Sequence, residues 1–204
     1  MSMILSRRYI SILKVVFLLL VFVGTCGCSK SSTPKEYGYF RIVTPEHTYD
    51  MLSQKTLSSS AMLPYTFSMN RAAVALSADS IHPLWINVHY PSIDATVHCS
   101  YLPIQNNLPQ LLNDAQEFVY SHSVKATAIP EQEYVDSINH VYGMYYELEG
   151  NTATPIQFYL MDSTKHFFRA AVYINTIPNQ DSLTPVIDFL KVDTRHLVES
   201  FRWR

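Results

Sequence analysis

The sequence has little glycine and almost no cysteine outside its first segment. Of 204 residues, 5 are glycine and 3 are cysteine. Cys26 and Cys28 end an apolar run with no companion cysteine pair and no nearby histidine, so the spacing of a zinc site is missing. If that pair is modified or removed, Cys99 is left alone and forms no disulfide within the chain. We expect Cys99 to be a small, buried, apolar residue.

The sequence also lacks any run of basic residues. It contains 15 Lys and Arg against 17 Asp and Glu. Arg7, Arg8 and Lys14 lie in the first 27 residues, so removal of that segment leaves 12 against 17, a formal charge of −5. Proteins that bind nucleic acid carry a basic patch or stripe. The sequence therefore predicts no nucleic-acid partner, and membrane attachment would depend on lipid rather than on a polybasic surface.

Signatures of catalysis and of nucleotide binding are missing too. The chain contains no G-x-S-x-G, H-E-x-x-H, Walker A or G-x-G-x-x-G motif. Glu147 and Glu149 project from one side of a predicted strand, as do Glu131 and Glu133. A glycosidase needs two carboxylates that face each other across a cleft, which one strand face does not provide. We predict a protein that is not an enzyme, with no cofactor and no identified small-molecule substrate.

No apolar run is long enough to span a membrane. A spanning helix needs roughly 20 apolar residues, whereas the unbroken run here covers residues 15–23. The run follows a basic segment with no acidic residue and ends in small residues. These features are typical of a secretory signal peptide over residues 1–27, and they predict an exported chain.

Gly27 followed by Cys28 resembles the bacterial lipobox, in which the cysteine thiol receives a diacylglyceryl group and becomes the new N-terminus. Cys26 is the alternative site, because Val23 is a suitable apolar residue three positions upstream, although Thr25 is bulkier than Gly27. An ordinary cleaved signal with incidental cysteines is the other interpretation. Two or more acyl chains anchor a protein stably, so we predict a lipid anchor at Cys28.

A polar stretch separates the cysteines from the remaining chain. Residues 29–36 read SKSSTPKE, and eight residues extend to at most about 28 Å. Cleavage before Cys28 would leave 177 of the 204 residues, a length that suits one domain with a sizeable core. The sequence predicts a leader at 1–27, an anchor and linker at 28–36 and one domain at 37–204.

Alternating apolar residues predict a hairpin from strands at 84–90 and 95–101, joined by a turn at 91–94. Pairing Tyr90 with Ala95 sets Val88 opposite Val97 and Ile86 opposite Cys99 on one apolar face, so both strands alternate in the same register. We expect this apolar face to pack under a helix that carries Leu111 and Phe118.

Helical spacing of apolar residues predicts that helix from Leu108 to His122, with Asn107 as its N-cap and Pro109 in its first turn. A second helix is predicted from a cap at Asp181 or Ser182 to the C-terminus. Further strands are predicted at residues 37–43, 65–69, 127–136, 141–149, 155–161 and 166–175, with a turn at 162–165. This order indicates an α+β fold, an antiparallel β-sheet with two main helices packed on it. The arrangement resembles the Mog1/PsbP-like fold.

Two histidines are the candidate metal ligands. His89 and His98 project diagonally from the polar face of the predicted hairpin, and diagonal neighbours lie about 7–8 Å apart at Cα. Two imidazoles at that spacing can share a metal, but a catalytic zinc usually has three protein ligands. The alternative is that both histidines lie on a polar face in water or under a helix.

Four long stretches resemble one known family. GYFRI, SYLPIQNNLPQLLNDAQEFVYSHSVKA, EGNTATPIQFYLMDSTKHFFRAAVYIN and PNQDSLTPVIDFLKVDTRHLVESFRW are similar, in this order, to the GldD gliding-motility lipoproteins of the Bacteroidota. The resemblance covers the chain from about Glu36 to Trp203. It implies lipidation and a role in gliding and in the linked type IX secretion machinery, and it supplies no active site.

Two functional hypotheses follow. The first is a non-enzymatic accessory lipoprotein that contacts other gliding or type IX secretion proteins of the envelope, with a surface rich in the 14 tyrosines as its docking face. The second is an envelope metal-binding module or enzyme that uses His89 and His98. Ser29, Lys30 and Ser31 follow the cysteine without an acidic run, whereas surface-displayed lipoproteins of this phylum tend to be acidic there. We therefore expect the domain to face the periplasm at the outer membrane.

Overall fold

A computed structural model describes residues 42–53, 57, 62–121 and 123–204. The predicted leader, both candidate lipidation cysteines, the linker and residues 37–41 of the first predicted strand lie outside the described residues, as does His122. Residues 42 and 43, which complete that predicted strand, have no strand conformation, so this part of the prediction is wrong. Among the described residues no helix is both long and apolar enough to cross a membrane.

A seven-stranded antiparallel sheet forms the centre of the domain. From edge to edge its strands are β4 (Val74–Ser77), β5 (Ile86–Tyr90), β6 (Ala95–Pro103), β12 (His166–Ile174), β11 (Ile156–Met161), β9 (Val141–Glu147) and β8 (Glu131–Asp136). Strands β4 to β6 follow one another along the chain, and strands β8, β9, β11 and β12 form a second group after a helix. Antiparallel strand groups separated by helices make this an α+β fold, as predicted.

Two helices and three short ladders complete the described fold. Helix α1 is Leu108–Ser121 and α2 is Gln180–Ser200, and a 3-10 turn covers Ser123–Lys125. The ladders pair β1 (Tyr49–Met51) with β3 (Ser68–Asn70), β7 (Ala126–Ala128) with β10 (Glu149–Gly150), and β2 (Tyr65–Thr66) with β13 (Arg202–Trp203).

The predicted hairpin register is confirmed in β5 and β6. Val88 lies opposite Val97 and Ile86 opposite Cys99, and all four side chains are buried. Asp94 occupies the turn with φ of 45°, a left-handed conformation that aspartate tolerates better than most residues. The alternation fixes the register because a slip of one residue would expose this entire apolar face.

The helix that covers this face is not the one predicted. The hairpin's apolar side chains share a core with Val186, Phe189 and Leu190 of α2. Helix α1 packs Leu111, Ala115 and Val119 against the opposite face of the sheet. Successive side chains of a strand point to opposite faces, so each face of this sheet needs its own cover. The sequence shows both apolar faces, but chain order does not say which helix covers which.

Phe118, expected in the core beneath α1, is 46% exposed. The guanidinium carbon of Arg169 lies 3.8 Å from the centre of its ring, a cation–π contact on the α1 side of the sheet. Asn107 lies at the start of α1 and its carbonyl accepts from the Leu111 N–H, but its side-chain oxygen accepts from the N–H of Gln105.

Both predicted ends of α2 need correction. The N-cap is Asn179, whose side chain accepts from the Ser182 N–H, rather than Asp181 or Ser182. The helix stops at Ser200, and the chain turns at Phe201 into β13 instead of remaining helical to the C-terminus. Phe201 is fully buried, and its ring lies 4.9 Å from that of Phe168. Pairing of β13 with β2 therefore fixes the end of the chain to the aromatic core.

Candidate functional site

Helix α1 covers only part of its side of the sheet. The buried aromatic residues that it packs on are Tyr146, Tyr159 and Phe167, from β9, β11 and β12. Nearer the β4 edge the same side of the sheet carries Val74, Leu76, Asn87, His89, Thr96, His98 and Tyr173, here named the open face. Val74 and Leu76 are 46% and 48% exposed. The open face therefore combines apolar side chains with hydrogen-bonding groups, a composition typical of non-obligate protein interfaces.

The two candidate metal ligands lie on the open face, and each is paired with its direct cross-strand neighbour. Nδ1 of His89 is 3.0 Å from Oγ1 of Thr96, and Nδ1 of His98 is 2.8 Å from Oδ1 of Asn87. The part of the chain that the structure describes contains no group of three or more His, Cys, Asp or Glu residues placed to hold a metal. The described residues thus bring no third ligand to His89 and His98.

The two edges of the sheet differ in charge. The β8 edge carries Glu131, Glu133 and Asp136, and inappropriate strand pairing is commonly prevented by such charges. The β4 edge reads VALS and has no charged residue. The shortness of β4 is its main protection against unwanted strand pairing. Of the two edges, β4 is therefore the one better suited to accept a strand from another protein.

Six of the eleven tyrosines that the structure describes do not contribute to a docking surface. Tyr65, Tyr90, Tyr101, Tyr145, Tyr146 and Tyr159 are buried, and Tyr65 lies in a ring cluster with Phe67, Phe168 and Phe201. The expectation of a tyrosine-rich docking surface is therefore wrong for these residues. The large exposed aromatic residues among those described are Phe118 and Tyr120 on α1 and Tyr173 on the open face.

A buried carboxylate was missed by the sequence analysis. Asp193 lies on the core face of α2 and its side chain has no exposure to solvent. Nδ1 of His47 lies 2.6 Å from Oδ1 of Asp193, and the Tyr49 hydroxyl donates to the same oxygen at 2.9 Å. Burial, then the hydrogen bond to Asp193, raises the pKa of Tyr49 well above its usual value. The signal was available, because position 193 falls on the apolar stripe of α2, where a charge requires partners.

Two ring contacts reinforce this contact between residues 47–49 and α2. The His47 ring stacks on Phe189 with centroids 4.8 Å apart, and Tyr49 stacks on His196 at 3.7 Å. Tyr90 faces the same carboxylate, and burial followed by the charge of Asp193 raises its pKa. Removing the partners of a buried charge typically costs about 3–5 kcal/mol, so the donors of Asp193 are important for local stability.

Two other carboxylates, Glu147 and the first residue of the predicted turn at 162–165, have structural partners. Glu147 forms two ion pairs that link β9 to α2. Its Oε2 lies 2.7 Å from Nζ of Lys191, and its Oε1 lies 2.6 Å from Nη2 of Arg195. Partial burial raises the pKa of Glu147, but these hydrogen bonds outweigh burial and leave the pKa below its usual value. Oδ1 of Asp162 accepts the backbone N–H groups of residues 164–166 and so holds the predicted turn between β11 and β12.

The fold defines an α+β domain in which a seven-stranded antiparallel sheet has one helix on each face. The family of gliding motility lipoprotein GldD matches residues 29–203, so the chain belongs to this family. Membership makes it an accessory lipoprotein of gliding motility, associated with the cell envelope. No curated protein and no solved structure matches the chain, and the likeness to the Mog1/PsbP-like fold stays a prediction.

Proposed function

We propose that this protein is a non-enzymatic component of the gliding motility and type IX secretion machinery, and that it acts by holding protein partners near the membrane. The family match over residues 29–203 carries the proposal. The match begins one residue after Cys28, which agrees with a leader at 1–27, a lipid anchor with linker at 28–36 and a domain at 37–204.

Tethering would make weak contacts sufficient. A lipid on Cys28 and a linker of eight residues confine the domain to a thin layer next to the membrane. Confinement raises the effective concentration towards other anchored proteins, and linked binding can improve by roughly 10² to 10⁴ without new contacts. We place the domain on the periplasmic side of the outer membrane, where protease added to intact cells should leave it intact.

The open face and the adjoining β4 edge are the docking surface that we propose. Val74 and Leu76 supply apolar area, and the side chains around His89 and His98 supply hydrogen-bonding groups. The uncharged β4 strand has β5 as its one strand neighbour among the described residues, so its outer side offers backbone groups to an extended segment of a partner protein. The aromatic side chain of Tyr173 lies at the far side of the same surface.

Replacement of the lipidated cysteine tests the tether. Cys28→Ala should abolish gliding and secretion although the protein is still exported and folded, whereas Cys26→Ala is the matched control and should be silent. Mass spectrometry of the mature N-terminal peptide identifies the acylated residue directly. An acylated peptide that begins at Cys26 would move the site, and an unmodified N-terminus together with normal gliding would refute the tethered mechanism.

A further inference from the structure

Residues 42–49, here named the strap, form the first continuous part of the domain that the structure describes, and the strap ends at Tyr49, which pairs with Asn70 in the β1–β3 ladder. Backbone contacts hold the strap on the turn after β3: the Glu46 carbonyl accepts from Asn70 Nδ2 at 3.0 Å, and the Thr48 carbonyl accepts from the Arg71 N–H at 2.8 Å. The side chains of His47 and Tyr49 reach α2 and converge on one oxygen of Asp193.

The second oxygen of Asp193 is poorly satisfied. Oδ2 is buried and has no hydrogen bond of standard geometry from any residue that the structure describes, although Tyr90 of β5 also contacts this carboxylate. A buried carboxylate that lacks part of its hydrogen bonds opposes the closed arrangement, because water would satisfy it better. If the strap moves away, the carboxylate loses His47 and Tyr49, keeps its contact with Tyr90 and regains hydration, which offsets part of the lost contact energy.

The main core does not depend on the strap in the same way. Val186, Leu190 and Leu197 of α2 pack on the sheet through apolar contacts that involve no residue of 43–49. Ile42 packs against this core and is only partly buried, and the His47 ring stacks on Phe189 at the edge of the same core. Proteins open locally where apolar contacts are few and polar contacts hold the segment, while the core stays folded.

We propose that the strap opens and closes on the domain as a unit, with Asp193 as its catch, and that opening lengthens the membrane tether. The second half rests on the proposed function, since only a lipidated chain has a tether to lengthen. The strap has eight residues, so its release adds at most about 28 Å of extended chain. This is about the extended length of the predicted linker, so release of the strap would increase by that amount the distance at which the domain meets partners.

Hydrogen exchange of the mature, detergent-solubilised lipoprotein tests the catch. Asp193→Ala should speed exchange of the strap amides at least about tenfold and leave those of β5 and β6 within about twofold. Asp188→Ala is the matched control, since Asp188 is an exposed carboxylate on the same helix and its replacement should change neither. Equal acceleration of amide exchange in the strap and in the sheet would show that Asp193 stabilises the whole fold. Unchanged exchange in the strap would show that Asp193 does not hold the strap closed.

Tyr49→Phe provides a milder second variant. It removes one hydroxyl from Asp193 and retains the ring that stacks on His196, so folding is not at risk. We expect strap exchange about three- to tenfold faster than in the wild type. Normal exchange in both Tyr49→Phe and Asp193→Ala overturns the proposal.

The tether half has its own measurement. On a supported bilayer, neutron reflectometry should place the Asp193→Ala domain farther from the lipid than the Asp188→Ala domain, by up to about 28 Å. Faster strap exchange without such a shift would refute the change in reach. Cys28→Ala protein should show wild-type strap exchange, so a failed lipid anchor and a failed catch give different results.

Discussion

Truncation of Phe201 is the sharpest test of the packing at the end of the chain. Phe201 is fully buried although it lies beyond the end of α2, and its ring is 4.7 Å from Trp203, 4.9 Å from Phe168 and 5.8 Å from Tyr65. Phe201→Ala removes the ring from a fully buried site and leaves a cavity there. Such truncations cost about 3–5 kcal/mol in total, the lost ring contacts included.

The assay is urea unfolding of the mature protein, followed by circular dichroism. Since domains are stable by about 5–15 kcal/mol, Phe201→Ala should lower the unfolding midpoint strongly without a change in slope. Phe118→Ala is the matched control, because the same substitution at a site 46% exposed should cost less, roughly the 0.5–2 kcal/mol of a partly buried cation–π contact with Arg169. Equal costs at the two positions would refute the placement of Phe201 in the core.

Three further predictions follow from the sites described above. Partial burial raises the pKa of Asp162, but hydrogen bonds from the backbone N–H groups of residues 164–166 outweigh burial and leave the pKa below 3.8. The ionised carboxylate therefore stabilises the fold above about pH 4, and this stabilisation is lost as the pH falls through the native pKa. In an acid titration, the stability difference between wild type and Asp162→Asn should vanish below that pKa. His89→Ala and His98→Ala should leave gliding and secretion intact, and loss of function in a folded, membrane-bound variant would favour the metal or catalytic hypothesis instead. Leu76→Asp should weaken capture of envelope partners about tenfold or more without unfolding the domain. Val192→Asp, at an equally exposed site on α2, is the control and should leave capture unchanged. Equal capture by both variants would show that the open face is not the docking surface.

The hairpin was predictable because two strands had to satisfy one register. Val88 and Val97 are buried only if Ile86 and Cys99 are also buried, so the apolar positions of the two strands indicate the same register independently. Which helix covers that face was not predictable, because the alternation of apolar and polar residues identifies the buried face of a strand but not the helix that packs on it. The turn at 162–165 was predictable for a different reason: Asp162 accepts nearby backbone N–H groups, which is a local property of the sequence.

Short, non-local pairings escaped the sequence analysis. Strand β13 has two residues, and its partner β2 lies more than 130 positions earlier, so no periodicity could indicate either the pairing or the end of α2. Asp193 presents the opposite difficulty. It interrupts an apolar stripe visibly, but its partners His47 and Tyr49 belong to a segment without helical or strand periodicity.

The unequal edges of the sheet limit how many molecules can join it. A partner strand or a second copy that pairs with β4 uses the uncharged edge, and β8 presents carboxylates to any further strand. The described sheet can therefore accept an added strand at one edge, the β4 edge. Two copies joined through β4 would close into a symmetric pair, and repeated head-to-tail stacking into a filament would require burying the acidic edge.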